Sequence, residues 1–181
     1  MLLSDRMWRS MVGYEVVSSR ILWVKVKIGN SRVVFVVVYA PSGKNVKEID
    51  AFWVGLDRVI SGLGRGEAVI VLGDLNAKVG KVVVERVTER HGVGERDENG
   101  DRLVDLCSEN GLVVGNTLFE HRDIHKYTWR GDGERGGRSM LDYVLVDKRL
   151  RAGIGDVRVR TKVGAGVSDH MVVEGLSLIH I

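Results

Sequence analysis

The chain has 181 residues, 44% of them hydrophobic, with 27 Lys and Arg against 24 Asp and Glu and a sequence pI of about 9.1. That is enough apolar material for one domain with a sizeable core; it excludes disorder throughout and admits a phosphate-bearing partner without requiring one. The single Cys107 excludes an internal disulfide and suits a reducing, intracellular compartment, nuclear or cytoplasmic. The longest apolar run, "VVFVVVYA" at Val33 to Ala40, is too short to span a bilayer, and charges sit where a signal peptide needs its apolar centre, so no membrane association is expected.

In chain order, "ILWVKVK" alternates Leu22, Val24 and Val26 against Trp23, Lys25 and Lys27, the pattern of a strand with one buried face. The next run, "RVVFVVVYA", is apolar on both faces and predicts a central strand covered on each side, closed by Pro41. From Asn45 to Leu63 apolar residues recur at helical spacing, including Ile49, Phe52, Trp53, Leu56 and Ile60, and predict an amphipathic helix. The buried strand "AVIVL" follows at residues 68–72, then a Gly-rich charged loop and a second helix from about Asp101 to Glu109, stopped by Asn110-Gly111. Three further strands are expected in "LVVGN", "MLDYVLVD" and "DVRVRTKV", with a basic, glycine-rich hairpin loop "RGDGERGGRS" between the first two. A last strand follows "VSDHMVV".

Several polar residues stand where these strands end, the place where such a scaffold presents chemistry. Tyr39 ends the central strand, Asp74 and Asn76 follow "AVIVL", Asn116 ends "LVVGN", Thr128 lies in "KYTW", and Ser168, Asp169 and His170 form "SDH". Singly, each is ordinary: Asp and Asn terminate strands, Tyr and Thr inhabit them. Asp142 is less ordinary, because a carboxylate flanked by Leu141, Tyr143 and Val144 is costly to bury without a partner. An Asp beside a His at a strand mouth can orient the imidazole for proton transfer.

Taken in order, "GDLNA", "YTW", "LDYVLV" and "SDH" resemble the endonuclease/exonuclease/phosphatase superfamily. Within it, "VYAPS", "LGDLNAKVG" and "GNTLF" are similar to endonuclease domains of non-LTR retrotransposons and to craniofacial development protein 2-like proteins. The resemblance implies an α+β, four-layer α/β/β/α sandwich of two packed, mostly antiparallel sheets flanked by helices, and a divalent-metal phosphodiesterase site using Mg2+, with Mn2+ as an alternative. It implies that Asp74 activates or aligns the attacking water and Asn76 hydrogen-bonds the phosphate. His170 contacts the scissile phosphate or acts as base, Asp142 holds His170, and Asp169 orients it or reaches the metal. Tyr39 and Thr128 are then phosphate contacts that also position the strand, Ser168 shapes the turn, and Asn116 joins the substrate-binding set. Arg130, Arg135 and Arg138, with Arg158, Arg160 and Lys162, would face a DNA backbone.

Family members also carry an earlier strand ending in Asn and another bearing the Glu that is the main metal ligand. Asp5 and Glu15 are the only carboxylates ahead of "ILWVKVK", and neither has that context, so a domain over residues 1–175, incomplete at its N-terminus and lacking that ligand, is expected. One sheet edge should then be unpaired. The apolar "LSLIHI" ending matches nothing anticipated, and residues 176–181 are read as a separate tail. Three functions follow: a metal-dependent DNA endonuclease of a retrotransposon or derived gene, in full length with a fused reverse transcriptase; a phosphatase of the same fold acting on a lipid or small phosphoester; or a non-cutting nucleic-acid or protein-binding remnant. A monomer is expected.

Overall fold

The computed structural model describes residues 4–131, 137–160 and 168–177. A short helix, α1 (Asp5–Arg9), leads into three antiparallel strands, β1 (Met11–Ser18), β2 (Ile21–Ile28) and β3 (Ser31–Tyr39). Helix α2 (Val46–Ser61) crosses over to β4 (Glu67–Asp74), which pairs with β3 in parallel. After a long loop come α3 (Glu98–Asn110), β5 (Leu112–Val114), the two-residue strands β6 (Trp129–Arg130) and β7 (Arg138–Ser139), then β8 (Asp142–Asp147), β9 (Ile154–Arg160) and β10 (Val172–Ser177). The main sheet has six strands in the order β1-β2-β3-β4-β8-β5, while β9 with β10 and β6 with β7 form two-stranded sheets.

The two-sided apolar pattern of the central strands is resolved by alternation. Val34, Val36 and Val38 of β3, Val69 and Val71 of β4, and Tyr143 and Leu145 of β8 point to one face, where Phe52, Trp53, Leu56 and Ile60 of α2 and Leu103 and Cys107 of α3 cover them. Val33, Ile70, Val144 and Val146 point to the other face and meet Val157 of β9. The two layers of packing make a slip of one residue in β3, β4 or β8 exchange one core for the other, which fixes register.

Local capping sets the helix starts. Asn45 Oδ1 accepts from Glu48 N at the head of α2, and Asp97 accepts from Gly100 N at the head of α3, so α3 begins three residues earlier than its apolar spacing suggests. Gly111, at φ 63°, ends it. Strand β1 was not anticipated: Val12, Tyr14 and Val16 are exposed, so no buried alternation announced it. "LVVGN" bends into a 3-10 turn after Val114, and "MLDYVLVD" starts as a strand only at Asp142.

The architecture is mixed α+β, with a helical layer, the six-stranded sheet and the β9–β10 sheet stacked in that order. The expected break at residue 175 is not a structural boundary, since β10 continues through Leu176 and Ser177, which pair with Asp156 and Ile154.

Candidate active site

Three strand ends line up. Tyr39 of β3 pairs with Asp74 of β4, and Asp74 pairs with Asp142 of β8, so the three side chains leave the sheet in one row. Gly73 makes the row possible: it adopts φ 137°, and a Cβ there would lie 2.0 Å from the Val38 carbonyl oxygen. Only glycine allows β4 to approach β3 so closely just before Asp74.

The loop after Asp74 is tied back to the same point. Asn76 N donates to Asp74 Oδ1 at 2.9 Å, and its side-chain amide donates to the Ala40 carbonyl at 2.8 Å and to Asp74 Oδ2 at 3.2 Å. This two-residue side-chain turn lets Asn76 hold a positive φ of 43°, which Asn tolerates better than most residues.

The "SDH" segment arrives from the other end of the sequence. Thr128 and Trp129 receive it: Met171 N donates to Thr128 O, Arg130 N donates to Asp169 O, and Trp129 forms a strand bridge with His170. Ser168 Oγ accepts from His170 N at 3.1 Å and so shapes the turn. The result places His170 Nδ1 2.9 Å from Asp142 Oδ2 and Nε2 3.9 Å from Asp74 Oδ2. Five residues from three distant segments thereby meet at one end of the sheet.

The electrostatics follow from that packing. Partial burial works against a charged imidazole, but the Asp142 hydrogen bond and the charges of Asp142, Asp74 and Asp169 outweigh it, so His170 titrates above its ordinary range. Burial pushes the Asp74 carboxyl upward; the Asn76 N–H draws it back and the Asp142 charge adds to the rise. Asp169, at the surface, is held below the usual carboxylate range chiefly by the Trp129 indole, whose Nε1 donates to Oδ2 at 2.9 Å.

Thr128 is fully buried, and its hydroxyl accepts from both Leu141 N and Asp142 N, so it positions the start of β8. Asn116, also buried, donates to Asp142 O and accepts from Val144 N, which ties its amide to the start of β8. Tyr39 is exposed at the rim, with the Arg20 guanidinium 5.5 Å from its ring centroid. Arg130 and Arg138 are exposed, whereas Arg158 is paired with Asp156 and Arg160 with Glu174. Arg135 and Lys162 lie outside the described residues. Glu15 accepts from the Trp23 indole on β1 and β2 and does not join the site.

Sequence reading passed over Trp129 and Tyr143. Tyr143 Oη lies within hydrogen-bond distance of the Ala77 and Met140 carbonyls and accepts from Val79 N, pinning the loop after Asn76 to the segment before Asp142. The signal was available, because a tyrosine in the middle of a buried strand must find partners for its hydroxyl.

A histidine flanked by two carboxylates thus stands at the end of a two-sheet α+β scaffold. The chain belongs to the Endonuclease/Exonuclease/phosphatase family, whose sequence model matches residues 2–170. It is 27% identical over 174 residues to craniofacial development protein 2 of Tragulus javanicus and 28% identical to that of Bos taurus, covering 96% of this chain but only 30% and 29% of those proteins. The chain thus spans under a third of the curated relatives it matches. Among solved structures, the endonuclease domain of TRAS1, a telomere-specific non-LTR retrotransposon, superposes with a TM-score of 0.63 at 23% identity, over 85% of this chain and 61% of that one. A 3' phosphatase from Neisseria bound to a product DNA hairpin gives 0.62 at 20% identity, over 92% and 71%. These similarities establish the fold.

Among the described residues no three His, Cys, Asp or Glu side chains converge to hold an ion. No helix among the described residues is long and apolar enough to cross a membrane.

Proposed function

We propose that this chain is a DNA endonuclease domain, of a non-LTR retrotransposon or of a gene derived from one. The observation that carries the reading is the placement of His170 between Asp142 and Asp74. The contact to Asp142 fixes the ring and leaves Nε2 facing Asp74 across 3.9 Å, too long for a direct hydrogen bond. Both groups are therefore free to address a third partner, a water or a phosphoryl oxygen. His170, with its proton affinity raised, can donate to an oxygen on which charge develops, and Asp74, raised by burial, can accept a proton from water. A divalent ion, Mg2+ or Mn2+, would be held here by few protein ligands, with water and phosphate oxygens completing its shell.

The engagement of Glu15 with the Trp23 indole, outside the His170 site, also favours a second reading, a member that binds nucleic acid without cutting it. Plasmid nicking with added Mg2+ or Mn2+, run beside phosphate release from inositol lipids, separates the readings. Nicking that falls at least about 10²-fold in His170→Ala and Asp74→Asn, with DNA binding retained, is the expected outcome. Equal cutting after replacement of His170 overturns the assignment; DNA binding without nicking supports the second reading, and preferential release from the lipids supports a phosphatase.

A further inference from the structure

We propose that the cleft between Lys78 and the Tyr127–Arg138 pair is a second phosphate subsite, which engages the phosphodiester next to the one addressed by His170 and so directs the protein to polynucleotide over single phosphoesters. The inference rests on the reading of the His170 site as a phosphodiester site. The cleft has a volume of about 420 Å³ and is lined by Lys78, Arg96, Asp97, Tyr127, Arg138 and Met140 among others. That volume is suited to a phosphate with its sugar.

Its position is set by the same elements as the site. Lys78 comes two residues after Asn76 and Met140 two before Asp142, and two residues of chain span at most about 7 Å. The Tyr143 hydroxyl, between the Ala77 and Met140 carbonyls, holds the two lips together. The Lys78 backbone is fixed: its N–H donates to Asp97 Oδ1 at 2.9 Å and its carbonyl accepts from Asp97 N at 3.1 Å. Gly100 packs so closely on that carbonyl that a Cβ would lie 1.9 Å away. Its side chain is exposed at the lip.

On the opposite lip the Arg138 guanidinium lies over the Tyr127 ring, 5.1 Å from the centroid. Stacking restrains a long, flexible cation while leaving its N–H edge open to oxygen acceptors, the arrangement that suits arginine to phosphate. The other charges of the cleft are largely committed. Arg96 donates to the Val79 and Val82 carbonyls and pairs with Asp101, and Asp97 Oδ1 caps α3. Glu95 stays exposed on the rim, and it repels a doubly charged phosphomonoester more than a singly charged diester. Two open cations facing a site for one phosphate, with a carboxylate beside them, match a polyanion of diesters.

The test is duplex DNA binding by fluorescence anisotropy over a series of salt concentrations. Lys78→Gln and Arg138→Gln should each lower the slope of log affinity against log salt by about 1, and together by about 2. Tyr127→Leu should weaken binding in the parent chain but add little once Arg138 is replaced, since the ring acts through the guanidinium. Arg58→Gln, on the exposed side of α2 and outside the cleft, supplies the comparison for loss of one charge. An unchanged slope in folded Lys78 and Arg138 variants, or an equal drop in Arg58→Gln, overturns the subsite. Because the readout is binding, failure of the catalytic reading shows separately, as cleavage that survives His170→Ala.

Discussion

An imidazole ordinarily titrates near pH 6.5, and His170 is moved above that by Asp142, Asp74 and Asp169 acting against partial burial. Its folded value exceeds its unfolded one, so the charged form contributes stability that is fully present below about pH 6.5 and lost as pH rises through the folded value. Asp142→Asn should lower the His170 midpoint, read from the ring proton and carbon shifts in an NMR titration; an unmoved midpoint would mean that the 2.9 Å contact does not persist in solution. Gly73 supplies a second expectation. With φ 137° and a carbonyl oxygen 2.0 Å from any added Cβ, Gly73→Ala must push β4 away from β3 at the point where Asp74 leaves the sheet. We expect a loss of at least about 3 kcal/mol in urea denaturation, from strain and broken pairing together. A variant of parental stability would show that β4 can relax there.

At the scale of elements, β8 is held at both ends by side chains that do not touch the proposed chemistry. Its beginning rests on Thr128 and Asn116 and its end on Arg149, which donates to both Asp147 oxygens and to the Arg65 and Glu67 carbonyls at the start of β4. Burial alone would push the Asp147 carboxyl up, but the Arg149 contacts outweigh it and hold it below the usual carboxylate range. A depressed folded value gives stability that is present above about pH 4 and lost as pH falls through the folded value. Arg149→Met removes the partner and leaves a buried carboxylate, so stability at pH 7 should fall by about 1–2 kcal/mol, a figure reduced for the half-exposed guanidinium. The deficit should shrink toward pH 3, measured by denaturant midpoints at the two values. A deficit that is constant with pH would trace the loss to packing of the Arg149 stem.

For the molecule as a whole, the exposed edge is the main liability. Strand β1 borders the six-stranded sheet and carries Val12, Tyr14 and Val16 at 55%, 65% and 68% exposure. An unpaired apolar edge invites pairing with another chain. Tyr14→Lys with Val16→Lys should reduce concentration-dependent light scattering while leaving the thermal midpoint within about 2 °C. Scattering that persists in the double variant would move the sticky surface elsewhere, with Val172 and Leu176 of β10 the next suspects. The modest positive charge of +3 acts at this scale too, because it permits approach to a polyanion without forcing it.

Local chemistry determined what could be read before any coordinates. The continuous apolar runs of β3, β4 and β8 specified buried strands, the spacing of Phe52, Trp53, Leu56 and Ile60 specified a helix, and the motifs around Asp74, Asp142 and His170 marked where the chain turns to chemistry. Each signal lies within a few residues, so hydrophobic period and short motif suffice to find it. Strand β1 escaped because its outward apolar residues break the pattern that burial normally writes. The roles of Thr128, Asn116 and Tyr143 escaped because hydroxyl and amide groups look alike in sequence whether they face solvent or backbone. Which they face depends on strands brought together from 13 to 66 residues away. Only the folded sheet, by pairing Asp74 with Asp142 and bridging Trp129 to His170, could turn separate strand ends into one site.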